Sequence, residues 1–197
     1  PFFERLASRW APLARRVLID RRGDLPEQEA AMCERLLPLL SEDTLARVRS
    51  CLPASPLGFC HNDTYHGNVY LLASGEIRLL DFEFSTIGHR AFDLANLFAE
   101  TVMRHGLDEY PHFDIASPDY TDAELSAVAD GCMEDRFDSA DERAEAAATL
   151  VAETRQMIPL SDYMYAMAAL PLALAPIQKI AFVPYALRRF ERFLEAT

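Results

Sequence analysis

The sequence predicts an α+β fold that is mostly helical and carries one small β-hairpin near its centre. Apolar residues recur with helical spacing over most of the 197 residues, and three short apolar runs of strand length lie close together between residues 57 and 80. Half of the residues are apolar and a quarter are charged, which is typical of a globular chain that folds as one compact domain.

The first 56 residues have the pattern of helices and loops. Pro26 is placed to open a helix, with Glu27 in its first turn and Pro38 near its far end. Ser41 is expected to cap a second helix that carries Val48 on its apolar face.

The centre of the chain has the pattern of strands. The runs at residues 57–60, 69–72 and 77–80 have strand length, and the last two flank a four-residue loop at residues 73–76. Gly75 can take the positive φ that a tight loop needs, so we expect a hairpin here.

After the hairpin the apolar period becomes helical. From residue 92 onwards, Leu94, Leu97, Phe98 and Val102 can form one buried stripe. Residues 111–122 read as a loop. Further helices are expected at residues 122–137, 141–157, 161–175 and 185–194.

Composition limits the classes of partner and location. A formal charge of −12 speaks against nucleic acid or anionic lipid and suits a cationic substrate. No apolar run approaches the roughly 18 residues of a membrane span. The four cysteines show no CxxC spacing, which favours reduced thiols in a cytoplasmic protein. The chain starts at Pro1 without a signal-like segment, which we interpret as a truncation or processing point.

Three oxygen-bearing side chains lie around the hairpin. Asp63 and Asn68 fall in one loop after the first strand, and Asp81 follows the third. In phosphoryl transfer one carboxylate orients the attacking hydroxyl, while an amide oxygen and a second carboxylate hold Mg²⁺ beside the phosphates. Each residue alone is typical of a turn cap, but together and in this order they favour a phosphotransferase.

This region resembles the signature of choline and ethanolamine kinases. The similarity lies in FCHNDTYHGNVYLL and LLDFEFSTIGHRAFDLANLFAE, and it resumes in SDYMYAMAALPLALAPIQKIAFVPYALRRF. It implies a protein-kinase-like C-terminal lobe that phosphorylates ethanolamine, choline or both, the first step of phospholipid head-group synthesis. It further implies ATP as co-substrate and Mg²⁺ as cofactor, and members of the family are often homodimers.

The resemblance also implies a role for each residue of the loop and the strand end. Asp63 would be the catalytic base, and Asn68 and Asp81 would hold Mg²⁺. His61 would hold the loop in place, and Glu83 would assist on the metal or substrate side.

Three polar residues of the next helix share one face. Asp93, Asn96 and Glu100 fall at i, i+3 and i+7. The resemblance implies that Asp93 anchors the catalytic loop and that Glu100 lies at the cationic group of the substrate. A carboxylate there supplies the counter-charge that an ammonium needs in a partly dry pocket.

The aromatic residues expected around the amine depart from the family pattern. The family has two tryptophans three residues apart, where this chain has Tyr165 and Ala168. Phe84 stands where the family often has tyrosine, and Tyr65 replaces a polar residue; both are expected at the substrate. The changes favour ethanolamine or a broad amine specificity over strict choline use.

Sequence features of an ATP-binding lobe are missing. There is no GxGxxG or GxxxxGK pattern, and the single lysine, Lys179, lies near the C-terminus. We therefore interpret residues 1–197 as the C-terminal lobe of a larger enzyme. We expect this chain alone to be unable to turn over ATP at a useful rate.

Three other interpretations stay open at this point. An aminoglycoside- or homoserine-type kinase shares the HxD-x4-N pattern and the later aspartate. The HxDxxH run of His61, Asp63 and His66 would also suit a zinc hydrolase. A non-catalytic lobe or pseudokinase is the third, although all three core residues are present.

Overall fold

The structure of the protein is a computed structural model. It describes residues 2–54, 57–116, 120–134, 136–176 and 180–197, apart from the side chain of Glu4, so Lys179 lies outside the described residues. The chain divides into two compact units. The first unit is formed by Pro1–Cys51, Met103–Ala116 and Pro159–Thr197, and the second by Leu52–Val102 and Ser117–Ile158.

Helices dominate the described part of the chain. Their bounds are α1 (Phe2–Arg15), α2 (Glu27–Ala30), α3 (Cys33–Leu36), α4 (Glu42–Ser50), α5 (Ala91–Glu100), α6 (Asp122–Cys132), α7 (Ala140–Leu172) and α8 (Phe182–Ala196). Within the residues described, no helix is long and apolar enough to cross a bilayer.

The strands form three antiparallel pairs. Their bounds are β1 (Leu57–Cys60), β2 (Val69–Leu71), β3 (Ile77–Leu79), β4 (Thr86–His89), β5 (Met103–His105) and β6 (Phe113–Ile115). The pairs are β1 with β4, β2 with β3, and β5 with β6. The predicted central hairpin is therefore β2–β3, and Gly75 in its loop has the expected positive φ of 86°.

Local signals predicted the start of α4 correctly. The hydroxyl oxygen of Ser41 accepts a hydrogen bond from the N–H of Thr44 at 3.2 Å and so caps the helix. At α6, Thr121 and Glu124 form a reciprocal capping box. That helix ends at Cys132, five residues before the predicted end.

The prediction of two helices around Pro159 is wrong. Residues 140–172 form one continuous helix, α7, with Pro159 and Pro171 inside it. A proline in a helix interior removes one hydrogen bond and costs about 3 kcal/mol. Here Met157 and Leu160 on either side of Pro159 are fully buried, and their packing offsets that local cost.

The prediction of a featureless loop over residues 111–122 is also wrong. Residues 113–115 form β6, which pairs with β5 in the register Met103↔Ile115. A strand of three residues is too short to show the alternation of apolar and polar residues from which strands are predicted. Met103 and Phe113 are buried in the first unit, so tertiary packing stabilises this hairpin.

The interior of the first unit contains a paired charge. Arg189 is fully buried and donates to Asp162 Oδ1 at 2.8 Å, and Arg192 Nε lies 3.1 Å from Asp162 Oδ2. Arg189 Nε and Nη2 donate to the hydroxyl of Tyr185 at 3.1 and 3.0 Å. Its guanidinium also lies 4.9 Å from the ring centroid of Tyr165. These contacts compensate the cost of burying the cation.

We predict that Asp162→Asn destabilises the protein by about 3–5 kcal/mol, because it removes the buried carboxylate to which Arg189 donates at 2.8 Å. Denaturant unfolding followed by circular dichroism measures this free energy. The matched control is Asp24→Asn, which removes a solvent-exposed pair with Arg21 and should change stability by less than about 1 kcal/mol. Equal effects of the two substitutions would contradict the importance of the buried pair.

Candidate active site

The loop between β1 and β2 is fixed to helix α5 by the carboxylate of Asp93. The backbone N–H of His61 donates to Asp93 Oδ2 at 2.9 Å, and that of Asn62 donates to Oδ1 at 2.7 Å. The hydroxyl of Thr64 donates to the backbone carbonyl of Asp93. Because both carboxylate oxygens are used, the carboxylate holds the start of the loop in a single orientation.

Sequence reasoning missed the part played by Asn62. This residue has φ of 63°, in the left-handed region that asparagine tolerates better than most residues. Its side-chain amide donates to the carbonyls of Cys60 and Phe84 at 3.3 and 3.0 Å. The signal available in the sequence was an asparagine directly before Asp63, at a point where the chain leaves a strand.

The ring of His61 joins this loop to the end of β3. Nε2 lies 2.8 Å from the carbonyl oxygen of Leu80, and Nδ1 accepts from the N–H of Asp63 at 3.3 Å. Both nitrogens are therefore committed to backbone partners, which excludes His61 as a zinc ligand. Among the described residues, no cluster of three or more His, Cys, Asp or Glu is arranged to hold a metal ion.

Asp63 and Asn68 meet across the loop. Asn68 Nδ2 donates to the Asp63 carboxylate oxygen Oδ2 and to the Asp63 backbone carbonyl, both at 3.0 Å. Both residues are buried. Since the amide nitrogen of Asn68 points at Asp63, its oxygen is the atom that remains to face a cation.

Leu80, the residue directly before Asp81, is hydrogen-bonded to both ends of the loop between β1 and β2. The N–H of Leu80 donates to the carbonyl of Asn68 at 2.9 Å, and the Leu80 carbonyl accepts from His61. Asp81 itself is exposed and has φ of 61°. The structure thus brings Asp81 next to the loop that carries Asp63 and Asn68.

The predicted polar face of α5 is buried. Asn96 is fully buried and Glu100 is 3 % exposed. Burial raises the pKa of Asp93 above its ordinary 3.8, while the N–H groups of His61 and Asn62 oppose this rise. Protonation of Asp93, and weakening of its two bonds, is therefore expected at a higher pH than for an ordinary aspartate.

The remaining predicted site residues differ in their exposure to solvent and in the unit to which they belong. Tyr65 is half-buried within the loop, and its pKa is raised by burial and then by the charges of Asp63 and Asp81. Phe84 is half-buried and Glu83 is exposed. Tyr165 belongs to the first unit, where Arg189 lies over its ring.

This arrangement of strand, loop, hairpin, aspartate and anchoring helix defines the class of the fold, a protein-kinase-like lobe. The family model for choline/ethanolamine kinases matches residues 25–194. The chain therefore belongs to the choline/ethanolamine kinase family.

Individual relatives agree with this assignment. Choline kinase A2 of Caenorhabditis elegans is 28% identical over 189 residues, covering 80% of this chain and 44% of the relative. A human choline/ethanolamine kinase is 36% identical over 85 residues, covering 40% of this chain and 22% of the relative. The crystal structure of choline kinase from Cryptosporidium parvum Iowa II covers all of this chain and 56% of its own, with a TM-score of 0.70 and 17% identity. At most, the chain spans about half the length of these relatives.

We predict that Asp93→Asn loosens the loop, because one N–H donor would then face an amide nitrogen. A hydrogen bond to a charged group contributes about 1.5–3 kcal/mol, so amide exchange at His61 and Asn62 should become roughly 10- to 100-fold faster. Hydrogen exchange followed by NMR measures this. Asp130→Asn, which alters the ion pair with Arg143 in the same unit, is the control and should leave both amides protected. Unchanged exchange in Asp93→Asn would contradict the anchoring role.

Proposed function

We propose that this chain is the catalytic lobe of a phosphotransferase that moves the γ-phosphoryl group of ATP to the hydroxyl of ethanolamine, choline or a related amino alcohol. This reaction is the first step in making phospholipid head groups. The observation that carries the proposal is the hydrogen bond from Asn68 to the Asp63 carboxylate. Asp93 fixes the loop that holds both residues. Leu80, the residue before Asp81, is hydrogen-bonded to Asn68 in the same loop.

Asp63 is the proposed base. The 3.0 Å bond from Asn68 Nδ2 to Oδ2 fixes the plane of its carboxylate. A carboxylate held in this way can orient the substrate hydroxyl and accept its proton as the new oxygen–phosphorus bond forms. Because catalysis of phosphoryl transfer depends mainly on positioning, a buried and hydrogen-bonded loop suits this task.

Asn68 and Asp81 are the proposed ligands of Mg²⁺. Their amide and carboxylate oxygens are the hard donors that this ion prefers, and the backbone bond from Leu80 to Asn68 holds the two residues side by side. When bound, the ion would neutralise charge on the phosphates. The exposed carboxylate of Glu83, two residues after Asp81, is proposed to assist on the metal or substrate side.

Glu100 is proposed to bind the ammonium group. Its carboxylate is buried on the same helix as Asp93, and a buried negative charge favours a cationic ligand. Phe84 and Tyr65 are proposed to line the same site.

The ATP-binding lobe is proposed to cover an exposed apolar surface of the second unit, here called the hairpin surface and defined by Phe59, Leu71, Ile77 and Ile87. Leu71 pairs with Ile77 across β2–β3, and Phe59 pairs with Ile87 across β1–β4. All four side chains are more than half exposed, and exposed apolar surface is a feature of interaction sites.

The remaining parts of the proposal concern the whole protein. We propose ATP and a small amine as its ligands, a homodimer as its assembly and the cytoplasm as its location. All four cysteines are free thiols, and Cys33, Cys51 and Cys60 are buried, which supports a reducing compartment. Light scattering would measure the mass of the natural protein in solution.

The function is tested by incubating the natural protein that carries this chain with Mg·ATP and, in turn, choline, ethanolamine and an aminoglycoside. ³¹P NMR identifies the product. We expect a phosphomonoester of an amino alcohol. A product formed only from the aminoglycoside would contradict the proposed substrate class, and no product from any of them would contradict the proposed reaction. The 197-residue chain alone is expected to give no measurable turnover.

We predict that Asp63→Ala in the natural protein lowers kcat by at least about 100-fold, because it removes the group that takes the hydroxyl proton. The fold should survive, since Asn68 keeps its bond to the Asp63 backbone carbonyl. Steady-state kinetics and thermal unfolding measure the two quantities. Asp108→Ala, at an exposed loop position, is the control. Unchanged turnover in Asp63→Ala would rule out the base assignment.

We predict that Glu100→Gln mainly raises KM for the amine, with little change in KM for ATP, because it removes a ground-state contact with the ammonium. The matched control is Glu76→Gln in the β2–β3 loop, where the carboxylate is exposed and paired with Arg78. An effect on ATP alone would contradict the role of Glu100.

A further inference from the structure

The pairing of β1 with β4 continues through side chains beyond the last residues that the strands pair by backbone. One residue further, the same register places His61 opposite Ser85, and the Ser85 hydroxyl donates to the His61 carbonyl at 3.3 Å. The next step places Asn62 opposite Phe84, and the side-chain amide of Asn62 donates to the Phe84 carbonyl at 3.0 Å. Side-chain groups therefore extend the strand pairing by two residues on each side.

Side chains take this part because the backbone N–H groups of the loop are already engaged. Those of His61 and Asn62 donate to the carboxylate of Asp93. Asn62 also has φ of 63°, so its backbone no longer follows the extended path of a strand. Asparagine tolerates this left-handed conformation, and its amide has two N–H donors, which it uses on the carbonyls of Cys60 and Phe84.

These side-chain bonds hold the stretch of chain that follows Asp81. The N–H of Ser85 donates to the carbonyl of Phe82 at 3.0 Å, which closes a turn directly after Asp81. Before Asp81, both backbone groups of Leu80 are bonded to the loop between β1 and β2. Asp81 has φ of 61°, a conformation that a residue other than glycine keeps only when the surrounding structure fixes it. Hydrogen bonds to the same loop thus fix the chain on both sides of Asp81.

We propose that Asn62, together with Ser85, is a positioning residue for Asp81, and that it sets where the Asp81 carboxylate lies relative to Asn68. This inference rests on the proposed function, in which Asp81 and Asn68 hold Mg²⁺. Asp81 is exposed, so the hydrogen bonds on either side of it, more than burial, determine where its carboxylate lies. Loss of the Asn62 amide therefore leaves a folded protein that binds a divalent cation more weakly.

The test uses Asn62→Gly, Asn62→Ala and Ser85→Ala in the natural protein. Glycine keeps the left-handed conformation but removes the amide, whereas alanine disfavours that conformation as well. Ser74→Ala is the matched control, because it removes a serine hydrogen bond from the exposed β2–β3 loop. Mn²⁺, which shares the preference of Mg²⁺ for oxygen ligands, is titrated into each protein, and the EPR signal of the free ion gives the Kd. Thermal unfolding shows the temperature below which each variant is folded.

We expect Asn62→Gly to raise the Kd for Mn²⁺ by roughly 10-fold, the lower end of the loss seen when a residue that orients a metal ligand is removed. Asn62→Ala should raise the Kd at least as much. Ser85→Ala should raise it by roughly 3-fold, because it removes a single hydrogen bond between neutral groups. Ser74→Ala should leave it unchanged. If the Asn62 variants do not fold, the comparison of Ser85→Ala with Ser74→Ala decides the question.

Three results would overturn the positioning role. The first is a lower melting temperature with an unchanged Kd in Asn62→Gly and Ser85→Ala, since the bonds would then serve the fold alone. The second is a raised Kd in Asn62→Ala but not in Asn62→Gly, since the backbone conformation would then position Asp81 without the amide. The third is the absence of Mn²⁺ binding by the unsubstituted protein.

The Kd for Mn²⁺ is measured without turnover, so this inference and the proposed function can fail separately. If the unsubstituted protein phosphorylates no amino alcohol, but Asn62→Gly still weakens Mn²⁺ binding, the proposed reaction is wrong and the positioning role is supported. If it does phosphorylate an amino alcohol, but the Kd is the same in all variants, only the positioning role is wrong.

Discussion

The candidate site depends on one interaction, the capture of two backbone N–H groups by the carboxylate of Asp93. The amides of His61 and Asn62 belong to the point where the chain leaves β1, and Asn62 there has a left-handed φ. Without a fixed anion, this turn would leave two donors unsatisfied in a buried place, at a cost of about 1–3 kcal/mol each. With it, Asp63 and Asn68 have a defined position relative to α5 and to one another.

Features set by neighbouring residues were predictable from the sequence, and features set by distant packing were not. The Ser41 cap, the β2–β3 hairpin and the glycine in its loop follow from local chemistry and were found as expected. The continuous helix through Pro159 and the β5–β6 pair depend on the burial of residues within and beside them. That burial cannot be read from the local sequence. At the site, order and spacing predicted the three oxygen-bearing residues, whereas the partners of Asn62, the carbonyls of Cys60 and Phe84, depend on how the chain folds.

Two tyrosines of the chain lie in different electrostatic surroundings. In the first unit, the buried Arg189 is paired with Asp162 and lies over the ring of Tyr165, so this aromatic group already has a cationic partner. In the second unit, burial and then the negative charges of Asp63 and Asp81 raise the pKa of Tyr65.

The central claim, that Asn68 and Asp81 hold one divalent cation beside Asp63, can be tested by paramagnetic line broadening. Mn²⁺, which shares the preference of Mg²⁺ for oxygen ligands, is titrated with ATP into ¹⁵N-labelled protein. We predict that the amide signals of Asn68 and Asp81 broaden first, while signals outside this loop and strand end keep their widths. Broadening centred elsewhere, or none at saturating Mn²⁺, would contradict the claim.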